Sequence, residues 1–125
     1  MPCKITWLER TVVVDFFEAV SIQEVRKQGL KINADPRAHT ISKRILNCSR
    51  VESLEASAAD LKIFAYIDKE AASNNTEIHL AVVGNSEKIK ANTAGYKDAI
   101  GSAIGQVELF ASIGEALAWD PESKP

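Results

Sequence analysis

Ser57 and Asp60 stand three residues apart where an amphipathic run begins, and no other pair in the chain is so suggestively placed for chemistry. A serine there can accept a helix-start N–H, carry a phosphate or meet a partner, with Glu55 and Asp60 adding negative charge on either side. Phosphate on Ser57 would gain from helix-start N–H groups and the helix dipole, yet those two carboxylates would repel it. Capping therefore outweighs modification at this residue. Upstream, Lys43-Arg44-Ile45-Leu46-Asn47-Cys48 reads as a strand entering a short polar loop that delivers residues 55–60 to the helix. Open α/β sheets place ligands and partner contacts where a strand's carboxyl end feeds a helix N-terminus.

The remaining reactive side chains form no constellation. His39 and His79 are the two histidines, and neither has metal-ligand spacing to Cys, Asp or Glu. Ser57, His79 and a carboxylate make a triad only on paper, because no oxyanion motif accompanies them. Gly84-Asn85-Ser86 lacks the glycines and lysine of a phosphate loop and reads as a strand-to-helix turn capped by Asn85. Cys3 and Cys48 lie far apart and read as reduced thiols in strands. Arg26, Lys27 and Lys31, with Arg37, Lys43 and Arg44, form a modest basic face interleaved with Glu24 and Asp35. No catalytic residue, metal or cofactor is assigned.

Composition bounds the rest. At 125 residues and 46% hydrophobic content, the chain fits one domain with a packed core. A net charge of −2 with interleaved signs argues against nucleic-acid binding. No apolar run approaches the ~18 residues that span a bilayer, so no stable membrane insertion is expected. No basic-then-apolar leader pattern opens the chain, and the expected location is cytoplasmic.

The elements that must position Ser57 follow from periodicity. Strands are expected at about 3–9 and 11–17, joined by a tight hairpin at Glu9-Arg10. Ser21-Ile22-Gln23-Glu24 is a capping box opening a helix to about Asn33, which must stop before Asp35-Pro36. A third strand spans about 42–49. The second helix opens at Ser57-Ala58-Ala59-Asp60, buries Leu61, Phe64, Ile67 and Ala71, and ends at Ser73-Asn74-Asn75. Residues 78–83 form a central strand apolar on both faces apart from His79. The third helix presents Ile89, Thr93, Tyr96, Ile100 and Ile104 and stops at Gly105. Gly95, Gly101 and Gly105 read as close packing and a C-cap, or else as a mobile helix whose Tyr96 lines an apolar cavity. Val107–Phe110 is a fifth strand, and Ser112-Ile113-Gly114-Glu115 caps a short last helix through Trp119. The order is β-β-α-β-α-β-α-β-α: an α/β domain over residues 1–120, a mostly parallel five-stranded sheet with an antiparallel edge and four helices, then a frayed tail at 121–125.

That order, with three local patterns, resembles the STAS superfamily (sulfate transporter and anti-sigma antagonist domains), specifically its SpoIIAA-like group. Asp35-Pro36-Arg37 follows the first helix, Ile45-Leu46-Asn47-Cys48-Ser49-Arg50-Val51 is similar to the strand before the family's switch loop, and Phe110 to Trp119 resembles its closing segment. The resemblance implies regulation through protein contacts. In anti-sigma antagonists the loop carries Asp-Ser-Ser-Gly-Leu, and its first serine accepts phosphate from a partner kinase. The matching residues here are Glu55-Ala56-Ser57-Ala58-Ala59. The acceptor position falls on Ala56, which has no hydroxyl; a one-residue slip would return Ser57 to it.

Two functions are expected from this reading. The first is a non-enzymatic regulatory or scaffold module binding a protein partner through Ser53, Glu55, Ala56, Ser57 and Asp60, with Ser57 as the phosphosite if one exists and a homodimer as one form of self-association. The alternative is a lipid-like small-molecule carrier or sensor, its apolar pocket lined by Phe64, Tyr96, Ile100 and Phe110.

Overall fold

The computed structural model describes residues 3–55, 57–72, 78–101 and 106–121, the side chains of residues 39, 53–55, 58, 64, 67 and 70–72 excepted. Strands β1 (Cys3–Leu8) and β2 (Thr11–Ser21) form the opening hairpin, antiparallel from Cys3 opposite Phe16 to Leu8 opposite Thr11. Then come α1 (Ile22–Ala34), a 3-10 turn at Pro36–His39, β3 (Lys43–Glu55), α2 (Ala58–Ala72), β4 (His79–Val83), α3 (Glu87–Ile100), β5 (Val107–Phe110) and α4 (Ile113–Ala118). The sheet order is β1-β2-β3-β4-β5, with β2 through β5 mutually parallel. This is the expected α/β architecture.

The sheet separates two cores. Val12, Val14 and Phe16 of β2 and Leu80 and Val82 of β4 face α1, α2 and α3 and pack with Val25, Ala65, Ile89 and Ile100. On the opposite face, Val13, Ile45, Ala81 and Val83 meet Ala116, with Phe110, Ile113 and Trp119 around them. Burial of this alternating set is the main driving force for closing the layers. At the β1 edge, the Arg37 guanidinium lies 4.4 Å from the Trp7 ring centroid and pairs with both carboxylate oxygens of Asp35. The Arg37 bonds hold the Asp35 carboxyl below the usual carboxylate range.

Several expected boundaries move. β3 does not end near residue 49: it runs to Glu55, and β2 runs with it to Ser21, through register shifts between Asp15 and Phe17 and between Glu18 and Ala19. Arg50 and Glu52 are exposed while Val51 is partly buried, so the polar stretch is a period-two strand rather than a loop. Ser86, not Asn85, caps α3, its hydroxyl accepting the Ile89 N–H at 3.1 Å. That helix ends at Gly101, whose φ of 59° suits glycine, rather than at Gly105. Ile104 and Gly105, like Ser73-Asn74-Asn75, lie outside the described residues.

Lys43 and Arg44 are not part of a basic surface. Both are buried, one pointing to each face of β3. The Lys43 ammonium donates to the carbonyls of Ala116, Leu117 and Trp119 at 2.8, 3.0 and 2.8 Å, closing the C-terminus of α4 with charge of the favourable sign.

Candidate functional site

Four parallel strands deliver four helices to one end of the sheet, and a serine begins each helix. The hydroxyls of Ser21, Ser57, Ser86 and Ser112 accept the N–H groups of Glu24, Asp60, Ile89 and Glu115 at 3.1, 3.1, 3.1 and 3.2 Å. The rim therefore gathers the positive ends of four helix dipoles. β3 continues to Glu55 beyond Asn47, its last residue paired with β4, and β2 runs beside it to Ser21, so the starts of α1 and α2 project together past the ends of β4 and β5.

At that projection the capping box is reciprocal. Asp60 Oδ2 accepts the Ser57 N–H at 3.0 Å while Ser57 Oγ accepts the Asp60 N–H. Ser57 is exposed and Asp60 half-buried, so both can meet another molecule. The backbone of Ser53 and Glu55 pairs with Ala19 and Ser21 of β2, which makes the approach to Ser57 a paired ribbon. The side chains of Ser53 and Glu55, and all of Ala56, lie outside the described residues.

The ribbon carries a second feature that sequence reading missed. Glu18 adopts φ 58°, an uncommon conformation for a residue with a side chain, at the second register shift. Around it Phe17, Glu18, Arg50 and Glu52 line a shallow surface depression, with the Arg50 guanidinium 5.9 Å from the Phe17 ring centroid. Such an aromatic with charges of both signs suits protein contacts better than small-molecule enclosure.

The paper triad is not assembled. His79 sits beside Lys43 at the starting end of the sheet, whereas Ser57 follows the far end of β3. The His79 ring is buried, its Nδ1 accepting the Gln106 N–H at 2.8 Å. The side chain of His39 lies outside the described residues. Among the described residues no group of three His, Cys, Asp or Glu side chains could hold a metal ion. Cys3 and Cys48 are free thiols, and burial pushes Cys48 up to about 12.

A cavity of about 70 Å³ lies between the sheet and helices α1 to α3, walled almost wholly by apolar groups including Phe16, Leu46, Leu61 and Tyr96. Of the expected lining residues, Tyr96 reaches it. Ile100 is buried in the same core, Phe110 packs on the opposite face at 5.3 Å from Trp119, and the Phe64 side chain is outside the described residues. Beside the cavity the Tyr96 hydroxyl donates to Asp68 Oδ2 at 2.5 Å. Arg44 Nη1 lies 3.7 Å from Asp68 Oδ1, and Arg44 Nη2 donates to Asn33 Oδ1 at 2.7 Å. Burial pushes the Asp68 carboxyl up, opposed by the Arg44 charge and the Tyr96 bond. It pushes the Tyr96 hydroxyl up too, helped by the neighbouring Asp68 charge. The network ties α1, β3, α2 and α3 together.

Two solved structures share this arrangement. The unphosphorylated anti-sigma factor antagonist SpoIIAA matches with a TM-score of 0.60 at 14% identity, over 92% of this chain and 94% of that one. The chain has a SpoIIAA-like fold. An uncharacterised protein of the DUF3478 family from Shewanella loihica PV-4, itself SpoIIAA-like in fold, matches at 0.58 and 12% identity, over 94% and 90% of the two chains. Neither a protein-family model nor a curated protein matches the sequence. No helix among the described residues is long and apolar enough to cross a membrane.

Proposed function

We propose that this chain is a non-enzymatic regulatory module, acting in the cytoplasm, that binds a protein partner through residues 53–60 and the adjoining β2–β3 ribbon. The observation that carries the reading is the exposed, reciprocally capped Ser57–Asp60 helix start at the tip of the projecting ribbon. Apolar contact at Phe17 supplies affinity, and Glu18, Arg50, Glu52 and Asp60 supply selectivity. The likeness in fold to an anti-sigma factor antagonist supports a regulatory role. Phosphate on Ser57 would crowd Asp60 Oδ2 and break the capping box, so any switch at this residue would act by loosening the α2 start. Intact-mass measurement on protein from its host reads that modification directly. Affinity capture with wild type and an Arg50→Glu variant tests the surface: loss of a captured protein supports the reading, and an unchanged set removes it. Sedimentation of the purified chain decides whether that partner is a second copy.

The cavity favours a second reading, a small apolar carrier or sensor. At about 70 Å³ it is roughly half the size of cavities that take up benzene, so a lipid-like occupant needs Leu61 or α3 to move. Native mass spectrometry would show a co-purified hydrophobic molecule under this reading and none under the first.

A further inference from the structure

The far half of β3 has one open edge. Its last residue paired with β4 is Asn47, whereas its pairing with β2 continues to Glu55. Among the described residues, then, no strand covers β3 on the β4 side beyond Asn47. Asn47 pairs with Asp15 and Arg50 with Phe17, so β3 holds one more residue than β2 across that step. An extra residue of this kind bends its strand and sharpens the twist, which turns the edge away from the line of β4. Unpaired N–H and C=O groups along such an edge form a template for another strand.

The side chains on this edge select the strand that fits it. Ser49, Arg50 and Glu52 are exposed, while Val51, between the two charges, packs against the first core. Arg50 and Glu52 therefore share the opposite face, where both line the depression beside Phe17. Neither has an ion-pair partner among the described residues. Two copies of this edge related by a two-fold axis perpendicular to the sheet run antiparallel, and the position of the axis fixes which residues stand opposite. An axis through Arg50 sets two guanidinium groups together, and one through Glu52 sets two carboxylates together; like charges destabilise both registers. An axis through Val51 sets each Arg50 opposite the partner's Glu52, twice by symmetry. Of the three, only this register is complementary to itself.

We propose that the chain forms a two-fold dimer by antiparallel pairing of its β3 edges over residues 49–53, centred on Val51, with two Arg50–Glu52 pairs across the axis. The two β2–β3 ribbons then make one four-stranded layer, with an α2 start leaving each end. A second copy is thereby named as the occupant of the ribbon edge, which rests on the reading of that ribbon as a docking surface.

Sedimentation equilibrium of the purified chain and its charge variants reads the register. The wild-type chain should dimerise as its concentration rises. Arg50→Glu and Glu52→Arg each set like charges opposite one another at both pairs, so either variant alone should dimerise about ten-fold more weakly. An equimolar mixture of the two single variants restores opposite charges at both pairs, as does the double variant Arg50→Glu/Glu52→Arg alone, and both should recover the wild-type affinity. Both positions are exposed, so circular dichroism should show every variant folded. A wild-type chain that stays monomeric overturns the proposal, as do single variants that dimerise like wild type or a mixture no tighter than its components. A monomeric chain that still captures another protein through the ribbon overturns the second copy alone. One that captures nothing overturns the ribbon reading with it.

Discussion

Lys43 Nζ lies 2.8 Å from the carbonyl oxygen of Trp119, a residue 76 positions further along the chain, and this contact joins the first half of the sheet to its last helix. Lys43→Met keeps the side chain's length and removes all three donors from the end of α4. We expect a loss of about 2–3 kcal/mol in urea denaturation, with red-shifted Trp119 emission before global unfolding.

Ser57→Ala removes one half of the reciprocal box and leaves Asp60 free to accept the Ser57-position N–H. Loss of this exposed cap should cost about 1 kcal/mol, read as a lower denaturation midpoint with an unchanged slope. Partner binding should weaken only to the extent that the α2 start frays.

Asp68 gives a signed dependence on pH. Burial raises its folded-state pKa above the ordinary 3.8, so between those two values the folded chain holds the proton more tightly than the unfolded chain. Its contribution is therefore full below 3.8 and is lost as pH rises through the higher folded value. Asp68→Asn should remove that decline, and stability curves of the two proteins against pH should converge or cross as the solution is acidified. Parallel curves would show that burial does not perturb this carboxyl.

Two glycines should respond differently to alanine. At Gly84 a Cβ would stand 2.9 Å from Ile89 Cγ2 and 3.4 Å from its Cβ, and Ile89 is buried with nowhere to retreat. Gly84→Ala should cost about 1–3 kcal/mol. At Gly95 the clash is 2.8 Å with Leu61 Cδ1, the free end of a side chain bordering the cavity. Leu61 can turn into that space, so Gly95→Ala should lie within about 1 kcal/mol of wild type, its helix propensity offsetting the strain. Thermal melts distinguish the two.

Local signals in the chain were readable because their partners are local. The serine caps expected at Ser21, Ser57 and Ser112 each close within three residues and all three form, with the reciprocal bond of a full box made at Ser57 by Asp60. The strand–helix alternation likewise specified a parallel sheet with an antiparallel edge. What escaped notice depends on distant partners. Nothing adjacent to Lys43 announces that its ammonium meets carbonyls 73 to 76 residues away, so it resembled a solvated charge. Asp68 interrupts the apolar stripe of α2, and only the arrival of Arg44 and Tyr96 makes its burial tolerable. The far half of β3 alternates polar with apolar residues and passed for a loop, because its pairing partner, residues 17–21, also lacks a continuous apolar run. The start of α2 was legible as following the carboxyl end of β3, and the paired ribbon leading to it was not foreseen.

The proposed docking of a partner at the α2 start is open to a direct test. Photocrosslinking in the host decides it, with the reactive side chain placed at exposed Ala59 in the first turn of α2 and, separately, at exposed Lys69 in its last turn. A discrete covalent adduct is expected from position 59 and none from position 69. An adduct from 69 alone, or from neither position, would contradict it.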